Sequence, residues 1–119
     1  MTQDTIIVNF TNHPSAKWSQ GQLEAVAQYG SVVDVPFPQV DPAASAEDVR
    51  KMADNCAARI MALRPAAVLC QGEFTLCFNV INRLKKQGVP VFAACSRRIV
   101  EEEGDTRITR FSFEGFREY

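Results

Sequence analysis

His13 is the single histidine in a chain of 119 residues, and so the one side chain whose ordinary charge change falls near neutral pH. It stands in the run Phe10-Thr11-Asn12-His13-Pro14-Ser15. Two other short runs carry comparable chemistry. In Gln71-Gly72-Glu73-Phe74-Thr75 a glycine lets the chain turn, and the free backbone N–H groups of a helix start would favour an anion there. In Cys95-Ser96-Arg97-Arg98 two guanidinium groups follow an apolar run directly, and their planar forks suit bidentate phosphate contacts. Together these groups would bind a phosphate and move a proton beside it. Each also has a plainer reading. His13 would then only shape a loop with Asn12 and Pro14, Glu73 would only offset a helix dipole, and Arg97 and Arg98 would be edge-strand charges facing Glu101, Glu102 or Glu103.

Lys17 and Trp18 follow the first run closely. A cation beside an aromatic platform suits a phosphate and its base, although Trp18 would serve equally as a staple packed on the helix that starts after Ser19. Arg83, Lys85 and Lys86 lie in the last turns of a helix, where cations are favoured and solvated, and are not counted as a site.

The elements that must position these runs alternate between two hydrophobic periods. Thr5 to Phe10 is a β-branched strand. Ser19 opens a helix through about Tyr29, with Gln22 placed to complete a capping box and Gly30 as its stop. Val32 to Val35 is a second strand, followed by a stiff Pro36-Phe37-Pro38 loop. Ser45 caps a helix whose Val49, Met52, Ala53, Cys56, Ile60 and Leu63 form one apolar stripe. Ala66 to Gln71 is a third strand, Glu73 to Gln87 a third helix, and Val89 to Ala94 a fourth strand with almost no polar interruption, as when helices cover both faces. Four strands separated by three helices predict an α/β domain with a doubly wound, mainly parallel sheet. Arg98 to Glu103 and Thr106 to Phe113, joined at Gly104-Asp105, predict a C-terminal β-hairpin with a type II′ turn. The three chemical runs would then follow strands one, three and four along one sheet edge, at the crevice where strand order reverses.

Bulk properties narrow the setting. With 46% hydrophobic residues, residues 1–119 suffice for one domain and are too few for two. A net charge of -1 argues against a broad surface for duplex DNA or an anionic membrane, so any anion site must be local. Cys56, Cys70, Cys77 and Cys95 show no C-x-x-C spacing and read as small core residues in a reducing compartment, without a metal or other cofactor. The N-terminus lacks a basic region followed by a long apolar run, which predicts a cytoplasmic protein with no membrane span.

Phe10 to Ser15, Gln71 to Leu76, the fourth strand running into Ser96-Arg97-Arg98-Ile99-Val100-Glu101, and the ending Phe116-Arg117-Glu118-Tyr119 together resemble small CRISPR-associated accessory proteins of type III systems. The resemblance extends over nearly the whole chain. It implies a Rossmann-like fold and, as partner, a cyclic oligoadenylate messenger, chiefly the tetra-adenylate, which the ring nucleases among these proteins bind and open to switch off antiviral signalling. Such opening needs no external nucleophile and no metal, because the ribose 2′-hydroxyl attacks its own phosphate and leaves a 2′,3′-cyclic phosphate. On that reading Asn12, Ser15 and the Gln71 to Thr75 turn position the ligand, with Lys17 and Ser96 beside it. Arg97 or Arg98 stabilises phosphate charge, and His13 moves the proton. A two-fold homodimer would match a symmetric ring. The alternatives are a non-cleaving sink or sensor for the same messenger, and a small regulatory subunit holding a mononucleotide.

Overall fold

A computed structural model describes residues 5–119; the leader reading of the first four positions lies outside the described residues. In chain order the elements are β1 (Ile6–Thr11), a 3-10 turn (Ser15–Lys17), α1 (Gln20–Ala27), β2 (Ser31–Asp34), α2 (Ala46–Ala62), β3 (Ala67–Gln71), α3 (Phe74–Lys86), β4 (Val91–Glu103) and β5 (Thr106–Glu118). They build a mixed α/β fold of three helices on a five-stranded sheet ordered β2-β1-β3-β4-β5. β1 runs parallel to β2 and to β3, β3 parallel to β4, and β5 antiparallel to β4. The chain leaves β1 for one side of the sheet and returns through α2 to the other, so strand order reverses beside β1.

The apolar runs follow from burial on both faces. On one face Val8, Phe10, Val68, Cys70 and Val91 pack against Val49, Ala53, Cys56 and Ile60 of α2 and Leu76, Val80 and Leu84 of α3. On the other, Ile7 and Leu69 meet Trp18 and Val26, with Leu23, Phe92 and Phe116 partly buried around them. The two coverings are unequal. Eight residues make α1 about 12 Å long against about 26 Å for α2. The shorter helix leaves part of its face of the sheet open, and the candidate site lies there.

Local signals account for the helix ends. Ser45 and Asp48 close a reciprocal capping box, each accepting the other's backbone N–H at 3.1 Å. Ser19 accepts the Gln22 N–H at 3.2 Å, but the Gln22 side chain lines the site instead of completing the second half of the box. The four cysteines are free, three of them buried and Cys95 half-buried. No helix among the described residues is long and apolar enough to cross a membrane.

The C-terminal third differs from expectation. The fourth strand does not stop at Ala94 before a separate hairpin; β4 runs unbroken for 13 residues, because β5 keeps pairing with it beyond the reach of β3. β3 meets β4 only at Val68–Val91 and Leu69–Phe92. From Ser96 to Glu103 the ribbon has β5 as its one neighbour, a length of about 26 Å at strand rise. The radius of gyration, 16.1 Å, exceeds the about 13.5 Å of a compact chain this long, as a projecting arm requires. Gly104, at φ 59, turns the tip, and Asp105 stays out of the left-handed region, in keeping with the type II′ turn. At Cys95/Ser96 the register shifts: Cys95 faces Gly115 and Ser96 faces Phe113, which leaves Glu114 as the extra residue of a bulge.

Gly72 marks where β3 bends into α3. A Cβ there would sit 2.6 to 2.8 Å from the Phe37 ring, and Phe37 is itself held against Phe10 at 4.8 Å between centroids. Gly72→Ala is expected to lower stability by about 1–3 kcal/mol. Urea denaturation should show the midpoint fall at constant slope, with partial recovery when Phe37 is changed to leucine in the same chain.

Candidate functional site: a cleft at the ends of β1 and β3

Thr11 and Gln71 face each other at the ends of β1 and β3. Past them the two chains diverge, β1 into the loop before α1 and β3 through Gly72 into α3 on the opposite face. The gap is an open cleft of about 450 Å³. Thr11, Leu69, Gln71 and Gly72 form its floor; Asn12, His13, Lys17 and Trp18 make one wall, with Ser19 and Gln22 at its edge; Ala94, Ser96, Phe111 and Phe113 make the other.

The His13 loop is fastened from below. Asn9 lies inside β1 with 2% of its surface exposed. Its side-chain amide donates to the His13 carbonyl oxygen at 2.9 Å and to Asp34 Oδ1 at 3.0 Å. The Thr11 hydroxyl accepts the His13 backbone N–H at 3.0 Å and lies 2.8 Å from Asn9 Oδ1. Trp18 Nε1 donates to the same His13 carbonyl at 3.0 Å. Asp34, at the end of β2, accepts with Oδ2 from the Ser15 N–H at 3.2 Å and from the Ser15 hydroxyl at 3.1 Å. Among the described residues every buried side-chain nitrogen and oxygen has a partner, so the network is complete. Trp18 is buried at 6% exposure beside α1, as a staple would be, and also lines the cleft.

Gln71 extends the sheet with its side chain. Its Oε1 accepts the Ala94 N–H at 2.9 Å and its Nε2 donates to the Ala94 carbonyl at 3.3 Å, joining β3 to β4 past the end of their ladder. Just after it, the start of α3 is closed by its own acid. Glu73 accepts the N–H groups of Thr75 at 3.0 Å and Leu76 at 2.8 Å, and the Thr75 hydroxyl at 2.7 to 2.8 Å. The Thr75 hydroxyl first, then the Leu76 and Thr75 N–H groups, hold the Glu73 carboxyl below the usual carboxylate range. Of the donors expected to await an anion at this turn, the Thr75 N–H is thus taken by a carboxylate, together with that of Leu76.

The structure brings Asn12, His13, Lys17, Gln71, Gly72 and Ser96 around one cleft. It leaves Ser15 on Asp34, Glu73 and Thr75 on each other, and Phe74 pointing to solvent at 89% exposure. The two arginines are separated by strand alternation. Arg97 pairs with Glu114 at 3.0 Å, on the opposite face from Ser96. Arg98 stands across from Phe111, so register sets it on the face that carries Ser96, Phe111 and Phe113. Sequence reasoning missed Asn9, Asp34, Phe111 and Phe113. An asparagine interrupting the β-branched run Ile6 to Phe10 was the one visible signal for the network; the aromatic wall depends on the bulge at Glu114 and had none. The cleft combines an imidazole, an ammonium group, amides, three hydroxyls and, besides the imidazole, three aromatic side chains, a set able to hold a phosphorylated ligand with unsaturated rings.

Residues 5–117 match the family described as "Uncharacterized protein MJ1673 family", and the chain belongs to it. No curated protein and no solved structure matches the chain.

Two outcomes follow from the geometry. Asn9→Ala removes one donor each from the His13 carbonyl, which keeps Trp18 Nε1, and from Asp34, which keeps Ser15, and should lower stability by about 1–3 kcal/mol, read from chemical denaturation, with the Trp18 fluorescence changed in the folded variant. Glu73 has a depressed folded-state pKa, so its contribution is full above the unfolded glutamate range and vanishes as pH falls through the folded value. Wild type should therefore exceed Glu73→Gln in stability at neutral pH and converge with it in acid; equal midpoints at neutral pH would contradict the cap.

Proposed function

We propose that this member of the MJ1673 family is a Rossmann-like, doubly wound nucleotide-binding domain that holds a cyclic oligoadenylate at the β1–β3 cleft and opens it as a ring nuclease. The observation that carries the reading is the convergence of His13, Lys17 and Ser96 with Trp18, Phe111 and Phe113 in one open cleft. The resemblance to type III CRISPR accessory proteins names the ligand, with cyclic tetra-adenylate first among ring sizes.

The chemistry balances without a further reactant. The ribose 2′-oxygen bonds to the adjacent phosphorus, the bond from phosphorus to the 5′-oxygen breaks, the 2′-proton leaves, and the departing 5′-oxygen takes up a proton. His13, which lines the cleft, moves one of these protons in this reading. Lys17 offsets charge on the phosphoryl oxygens, with Arg98 reaching in from outside the cleft lining on the same face of the ribbon, while the aromatic walls stack on adenine. Arg97, turned away and paired with Glu114, is assigned no part. A second reading, a sink or sensor that binds without cutting, is favoured by one observation: His13 is the only histidine in the chain, so a second proton-transfer group would have to be solvent or an unusually tuned residue.

Purified protein incubated with cyclic tetra-adenylate in EDTA separates the readings. Linear products ending in a 2′,3′-cyclic phosphate support cleavage, tight binding without products supports the sink, and absence of binding removes both. If cleavage occurs, His13→Ala should slow it by about 10²–10⁴-fold. Arg98→Ala should weaken binding by about tenfold, roughly 1.4 kcal/mol, and Arg97→Ala should leave it near wild type; the reverse ranking would overturn the assignment of the two faces.

A further inference from the structure

Helix α3 carries two apolar stripes, and the sheet uses only one. Leu76, Cys77, Val80 and Leu84 are buried. Phe74, Phe78, Ile81 and Lys85 form a second line at i, i+4, i+7 and i+11, the spacing of a seam against another helix. Phe74 is 89% and Phe78 67% exposed. Among the described residues none buries these two rings, while Ile81 is half-buried against the core.

We propose that this face of α3 packs against the same face of a second copy of the chain, α3 on α3 across a two-fold axis. Three observations select that occupant. The stripe has helical period, which a helix matches and an extended peptide does not. The same face holds both the projecting rings and the spaces that would receive them, as a self-complementary two-fold contact requires. The Phe74–Phe78 ridge has a hollow of about 660 Å³ on one flank, walled by Ile81, Asn82 and Tyr119. On the other flank lies one of about 400 Å³, walled by Ala44, Ala46 and Val49. Lastly, charge on the ridge itself is sparse: Lys85, which donates to the Tyr119 carbonyl oxygen at 2.7 Å, is its one charged side chain, with Arg50 at the edge of the smaller hollow.

The size of the patch agrees. Two phenyl rings at these exposures present roughly 300 Å² of apolar surface, a fair core for a contact in which about 800 Å² per partner is usual. Gln71 and Gly72 line both the larger hollow and the candidate cleft. The inference does not depend on what the cleft binds.

Sedimentation velocity across a micromolar concentration series tests it. Wild type should sediment at twice the mass of one chain, and Phe74→Glu with Phe78→Glu should sediment as a monomer with unchanged far-UV circular dichroism. Ile108→Lys on the ribbon should remain dimeric. A wild type that is monomeric throughout, a dimer that survives both glutamates, or dissociation caused by Ile108→Lys would each overturn the proposal. As a readout independent of the glutamates' folding, Phe78→Cys treated with a short bis-maleimide should give a covalent dimer in excess of wild type; no excess counts against the α3 face.

Discussion

The buried amide of Asn9 is the fixture on which the site depends. A strand with both faces covered has no room for an unpaired polar group, since stranding one costs about 1–3 kcal/mol. Asn9 is tolerated because the His13 carbonyl, Asp34 and Thr11 take up its hydrogen-bonding capacity. The requirement also runs the other way: satisfying Asn9 fixes the loop that bears His13 and ties the end of β2 to it through Ser15. Polar satisfaction and site geometry are here one constraint.

Gln71 repeats the logic on the next strand. Parallel neighbours must part where one continues and the other turns into a helix, and the parting exposes backbone groups of β4. The Gln71 side chain fills both vacancies at Ala94. The cleft therefore opens between strand ends that are held apart at a set distance, with Tyr119 adding a third tie through its hydroxyl bond to the Cys70 carbonyl at 2.7 Å. Burial, followed by the neighbouring thiols, pushes the Tyr119 phenol up to about 12, which keeps that donor protonated across the physiological range.

Hydrophobic period and capping residues made the first four strands and three helices legible, because those signals are local and the core enforces them. Ser45 announced α2 as its cap, and Gly72 announced the turn into α3. Polar residues after β1 and β3 were correctly placed along one edge of the sheet, since parallel strands leave no alternative. The ribbon was harder to read. Nothing local distinguishes a strand that ends at Ala94 from one that continues through Ser96-Arg97-Arg98 on the strength of a partner more than ten residues later. Glu73 was ambiguous for a related reason: an acid at a helix start either repels an anionic ligand or replaces it, and only the positions of Thr75 and Leu76 decide.

The bulge at Glu114 gives the ribbon something like a reading frame. Phe113 and Phe116, three residues apart, touch at 5.1 Å between ring centroids, although simple alternation would send them to opposite sides. The extra residue resets the parity, so Phe111 and Phe113 inherit the side that Phe116 already occupies. Pairing Glu114 regularly with Ser96 would instead turn Phe111 and Phe113 away from the side of Phe116, while Arg97 and Arg98, on the uninterrupted β4, kept their faces. Which surface of the arm carries the aromatic rings is thus decided at a single position of the chain.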